Sequence, residues 1–154
     1  MSPRALLPMF LGVVRLVLGA LLMLAGALKL RDPTAFATEI ANYQLLPAGA
    51  PVLAATLPAI ELILGASLIA LPRAWRRAAA GATLALFVVF TGAVASAYFR
   101  GINIDCGCFG TGGGPIGPLT LLRNLTLTTS TLLLLGFDRP ATPAGPSSRP
   151  AVSG

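Results

Sequence analysis

Residues 8–28 read PMFLGVVRLVLGALLMLAGAL, an apolar run broken by a single charge, Arg15. Crossing a hydrocarbon core of about 30 Å takes roughly 20 helical residues, so this run is long enough to span a bilayer. It exceeds the apolar stretch of about 7–15 residues found in secretory signals. With Arg15 inside it, the run reads as a retained helix. Working outward, three further runs have similar length: Val52 to Leu71, Ala78 to Phe99 and Leu119 to Phe137. The expected fold class is all-α, an integral membrane four-helix bundle with four transmembrane helices. It occupies residues 1–137, and the Pro-, Ser- and Ala-rich segment 138–154 reads as a disordered cytoplasmic tail.

Composition points the same way. Hydrophobic residues make up 55% of the chain and charged residues 10%, against about 25% charged in ordinary soluble domains. So few charges cannot cover a water-facing surface, and apolar side chains must face lipid. The formal net charge is +6, but the basic residues cluster at the ends of apolar runs and form no stripe that tracks phosphates. Nucleic acid is therefore not an expected partner; the lipid bilayer is. The absence of histidine excludes imidazole catalysis, and two cysteines are too few for a structural zinc site. No metal is expected.

The basic residues also set an orientation. Arg73, Arg76 and Arg77 lie between the second and third runs, Arg4 precedes the first, and Arg139 and Arg149 follow the fourth. With four crossings these segments share one side, which the positive-inside rule makes cytoplasmic. Both termini are then cytoplasmic. The loop holding Cys106 and Cys108 is extracytoplasmic, where disulfides persist. In the first outer loop Phe36, Ile40 and Tyr43 recur at helical spacing, with Asp32 placed to cap and Pro33 suited to a first turn. This predicts a short helix lying in the interface.

Small and polar residues suggest how the runs pack. Gly12, Gly19 and Gly26 recur every seven residues and mark a face open to close helix approach. In the second run Ala54, Pro58, Glu61, Gly65 and Leu68 share a face. A carboxylate at that depth needs a partner; Arg15 is the first choice and Lys29 the competitor. Such a pair either locks the bundle or marks a proton relay or quinone-facing site. In the fourth run Arg123, Thr126 and Ser130 are expected on the bundle-facing side.

The reactive feature is Asp105-Cys106-Gly107-Cys108-Phe109-Gly110. Two thiols one residue apart bridge only tightly, and Gly107 permits the turn. So small a ring adds little stability as a loop pin; a strained ring favours exchange. Arg100, Arg123 and the start of the fourth helix bring positive potential that favours thiolate, with Asp105 opposing. Redox exchange, a passive pin and a metal or cluster site shared with a partner all fit these residues.

The chain resembles the MauE (methylamine utilisation) family, within the DoxX-like redox-associated membrane proteins. The residues that carry the resemblance are Arg15 and Gly19, Ala25-Gly26, Lys29-Leu30, Asp32-Pro33, Phe36, Tyr43, Leu46-Pro47, Leu57-Pro58, Glu61, Gly65, Arg100-Gly101, the cysteine segment and Arg123-Asn124. The resemblance implies a multi-pass protein of the bacterial inner membrane linked to extracytoplasmic disulfide handling. Its named role is maturation of the methylamine dehydrogenase light subunit. The expected function is a membrane thiol–disulfide redox factor. Cys106 and Cys108 form the redox pair, Arg123 and Arg100 stabilise the thiolate, and Glu61, Arg15 and Lys29 are intramembrane polar residues. The expected partner is an extracytoplasmic client or a thioredoxin-like protein, in a homo- or hetero-oligomer. No cofactor motif is readable, and quinone is the candidate electron carrier, near Glu61. The alternative is a non-catalytic membrane anchor or assembly subunit of an oxidoreductase complex.

Overall fold

The computed structural model describes residues 3–102, 104, 106 and 115–137. The described residues are all-α: α1 (Pro3–Lys29), α2 (Pro33–Asn42), a single 3-10 turn (Pro47–Gly49), α3 (Ala50–Ala70), α4 (Arg73–Phe99) and α5 (Pro118–Phe137). Several helices overrun their apolar runs. Proline favours a first helical position, and α1 and α5 both start on one. The arginines of the second link belong to α4, where Arg76 Nε donates to the Leu71 carbonyl at 3.1 Å and closes the end of α3.

The short helix expected in the first loop is α2. Asp32 accepts from the Ala35 amide and Pro33 opens the helix, leaving Phe36 buried. Helix α3 buries one stripe, Ala50, Ala54, Pro58, Glu61, Gly65 and Leu68, at steps of three and four that follow the helical period. Its other faces stay apolar and exposed, as do those of α4; Ile63 is 64% and Val89 70% exposed. Side chains of this kind fit a lipid surface.

Helices α1 and α3 form the tightest antiparallel pair, and α4 and α5 form the second. At the first interface a Cβ on Gly19 would stand 2.8 Å from the Gly65 carbonyl oxygen, and one on Gly65 2.6 Å from the Gly19 oxygen. A Cβ on Gly26 would stand 2.7 Å from the Pro58 oxygen. These backbones touch because neither helix has a side chain between them. Gly12 departs from expectation: nothing lies within 4 Å of its would-be Cβ, because the contact with α3 ends before that turn. Between the two pairs, Leu18, Leu22, Leu68, Ala79, Ala80, Phe87 and Leu134 form the core.

Among the described residues three helical segments are long and apolar enough to cross a membrane: Leu6–Lys29, Pro47–Ala70 and Trp75–Phe99. Helix α5 has 20 residues, about 30 Å at 1.5 Å per residue, so its length suffices. Its threonines, with Arg123 and Asn124, make it less apolar than the others. The expectation of four spanning helices thus stands at three on composition.

Candidate functional site

One end of the bundle gathers most of the residues singled out in the sequence. Helix α4 ends in a Schellman motif: Gly101 takes a φ of 67°, its amide donates to Tyr98, and the Ile102 amide donates to Ala97. Glycine meets no Cβ penalty there. The motif turns the chain sharply into the cysteine segment. The Ile116 amide donates to the Ile104 carbonyl at 2.9 Å and closes that segment's base. Thr120 then donates to the Pro115 carbonyl as α5 begins.

Cys106 lies within this closed base, 2% exposed and disulfide-bonded. Cys108, Asp105, Gly107, Phe109, Gly110 and the tail 138–154 lie outside the described residues. Arg123, in the second turn of α5, places Nη2 3.4 Å from Cys106 Sγ. The Tyr43 hydroxyl, from the end of α2, donates to the Cys106 carbonyl at 2.6 Å. The Tyr43 phenol is pushed up to about 12, first by burial and then by the Glu39 carboxylate, with Arg123 opposing. It therefore remains a donor across the ordinary pH range.

Arg100 is placed differently from its expected role. Its guanidinium donates to the Tyr43 carbonyl at 3.0 Å and to Gln44 Oε1 at 3.1 Å. It thus holds the end of α2, where Gln44 has a φ of 55°, a conformation that costs a residue with a Cβ about 1–2 kcal/mol. Arg100 positions Tyr43, and Tyr43 in turn positions Cys106. The sequence reading missed Tyr43 as a site residue. Helical spacing made it part of the interfacial helix and gave no sign of a contact 63 residues away in the chain.

Deeper in the bundle Glu61 pairs with Lys29, not with Arg15. Cα–Cβ bonds tilt toward a helix's own N-terminus. In the antiparallel pair α1 and α3, Lys29 and Glu61 therefore lean toward each other, while Arg15 leans away. Lys29 also sits 5.1 Å from the Phe36 ring centre and 5.0 Å from that of Phe90. Arg15 is buried nearer the opposite end.

The buried face of α5 is Thr120, Asn124, Thr131 and Leu134. Thr126, expected to face the bundle, is exposed and bonds back to the Leu122 carbonyl. Thr128 instead meets Thr91 of α4 at 3.1 Å.

Two cavities flank these residues. One, of about 30 Å³, is bordered by Lys29, Glu61, Arg123 and Asn124, the size of a single water. Glu61 Oε2 and Asn124 Nδ2 are buried with no hydrogen-bond partner among the described residues. The other, of about 170 Å³, has Cys106 among its lining residues. Among the described residues no cluster of side chains is arranged to hold a metal.

A model of the MauE family, described as methylamine utilisation protein MauE, matches residues 7–137. A methylamine utilization protein MauE of Paracoccus denitrificans is 37% identical over 140 residues, 89% of this chain and 74% of that protein. Its counterpart in Methylophilus methylotrophus is 40% identical over 119 residues, covering 73% of this chain and 61% of the relative. No solved structure matches the chain.

Proposed function

The chain belongs to the MauE family, and from that membership and the setting of Cys106 we propose that it is a membrane thiol–disulfide exchange factor in methylamine utilisation. The observation that carries this reading is the Arg123 guanidinium resting on a disulfide sulfur. A cation there favours thiolate over thiol, and thiolate is both the attacking and the leaving species in exchange.

The proposed reaction pairs Cys106 with Cys108. A client thiolate attacks the Cys108 sulfur, forming a mixed disulfide and releasing Cys106 as a thiolate beside Arg123. A second client thiolate then resolves the mixed disulfide. The client gains one S–S bond, and the two cysteines carry away two electrons and, once reprotonated, two protons. The client class is a disulfide-rich protein outside the cytoplasm, such as the light subunit of methylamine dehydrogenase.

In this reading α5 makes a fourth crossing, with Arg123 turned inward to the sulfur. The end bearing Arg76 and Arg77 faces the cytoplasm of a bacterial inner membrane, and the Cys106 end faces outward.

The burial of Cys106 and its tether to Tyr43 favour a second reading, in which the segment is a rigid docking element of an assembly subunit. A Cys106→Ser/Cys108→Ser double variant separates the two. Exchange requires that client disulfides no longer form with it, whereas normal client oxidation would leave only the docking role.

A further inference from the structure

The 170 Å³ cavity lies between α2, α3 and α4, with Cys106 in its wall. Phe36, Tyr43, Phe90 and Leu57 are among its lining residues, and Glu39 adds one carboxylate to a largely apolar surface. An apolar cavity of about 150 Å³ accommodates benzene, so this one admits a six-membered ring. Leu46 and Val89, also in its lining, are 64% and 70% exposed. They lie on apolar surface of the kind that meets lipid. Entry is therefore from the bilayer, and a charged, water-soluble carrier would pay its full desolvation to enter.

We propose that this cavity binds the ring of a lipid-soluble quinone, which reoxidises the cysteine pair. The inference rests on the exchange reading above and names its electron acceptor. Each client disulfide leaves Cys106 and Cys108 as thiols. Their reoxidation forms one S–S bond and releases two electrons and two protons. The quinone takes up both electrons and both protons and leaves as hydroquinone. The aromatic rings of Phe36, Tyr43 and Phe90 suit a planar guest, and the Tyr43 hydroxyl, which donates to the Cys106 carbonyl, ties this lining to the cysteine. A lipid acyl chain is the competing occupant.

The test uses the full chain in lipid nanodiscs, reduced and freed of reductant, then mixed with a short-chain ubiquinone. Hydroquinone absorbance should rise as protein thiols disappear, one hydroquinone for each disulfide regained. Leu57→Trp and Ala93→Phe, both at lining positions, fill the cavity. Each should slow reoxidation by the quinone about tenfold or more relative to reoxidation of the same variant by a water-soluble small disulfide, as an added side chain displaces the ring. An unchanged ratio, or no quinone reduction by the reduced wild type, overturns the proposal. A photoreactive quinone should label peptides containing Phe36 or Phe90 in the wild type. Label elsewhere, or label by a photoreactive fatty acid that excess quinone does not displace, also overturns it. If client oxidation survives loss of both cysteines, the exchange reading fails. If exchange proceeds but quinone does not reoxidise the pair, only the acceptor is wrong.

Discussion

Lys29 and Glu61 are 1% and 2% exposed, and each is tolerable in that position only because of the other. Removing one partner of a buried pair leaves an uncompensated charge, at a cost of about 3–5 kcal/mol, whereas an apolar pair of similar volume is often neutral. Lys29→Met should therefore destabilise the chain by that amount, and Lys29→Met/Glu61→Leu should recover most of it. Thermal unfolding in detergent reads both. A double variant as unstable as the single one would show that Glu61 has a further necessary partner. At Gly65 the constraint is steric. Gly65→Ala drives a Cβ onto the Gly19 oxygen and the Met23 backbone and should cost about 1–3 kcal/mol. Gly12→Ala meets open space and should leave the melting temperature near that of the wild type. Tyr43 contributes a pH dependence. Its folded phenol keeps a proton that the unfolded chain releases near 10.0. Its contribution is thus complete below about pH 10 and declines as pH rises toward 12. In a Tyr98→Phe background, which leaves Tyr43 as the one tyrosine, phenolate absorbance should appear only toward pH 12. A midpoint near 10 would mean that the phenol is not held as described.

Among the elements, the end of α4 shows how local chemistry places a distant group. Gly101 at a φ of 67° lets the Schellman turn close, which sets both the exit of the cysteine segment and the reach of Arg100 toward α2. Gly101→Ala should cost about 1–2 kcal/mol and loosen the segment. Faster reaction of the cysteines with a small thiol than in the wild type would register that change; equal rates would mean the turn does not control the segment. Helix α5 is the element whose sequence pattern misleads most. Its hydroxyls fall on several faces, and Thr126, Thr128 and Thr131 bond to carbonyls one turn back. A threonine that satisfies itself in this way need not face the bundle. Asn124, whose side-chain amide has no such local bond, is buried beside Thr120, Thr131 and Leu134.

For the whole molecule, the decisive arrangement is two antiparallel helix pairs with the disulfide, Arg123, Tyr43 and the larger cavity at one end. If that end lies outside the cytoplasm, a membrane-impermeant thiol reagent should label the cysteines of intact cells only after reductant is added. Labelling confined to lysed cells would reverse the orientation. Much of this was legible in the chain. Apolar runs separated by charge and proline forecast long helices, because a bilayer demands continuous apolar length. The Asp32-Pro33 start forecast α2, because capping is local. The stripe from Ala54 to Leu68 forecast the buried face of α3, because helical period alone decides which residues share a side. The partner of Glu61 was not legible, since depth alone left both Arg15 and Lys29 in reach. The antiparallel pairing and the tilt of the Cβ bonds chose Lys29. Tyr43 on Cys106, the redirection of Arg100 and the ring-sized cavity were equally hidden, for each depends on how α2 packs against α3 and where its end meets Arg100 after α4. Periodicity, caps and apolar length act within a few turns and are written in order along the chain. Ion pairs and cavities depend on the relative rotation and depth of separate helices, which only their mutual packing determines.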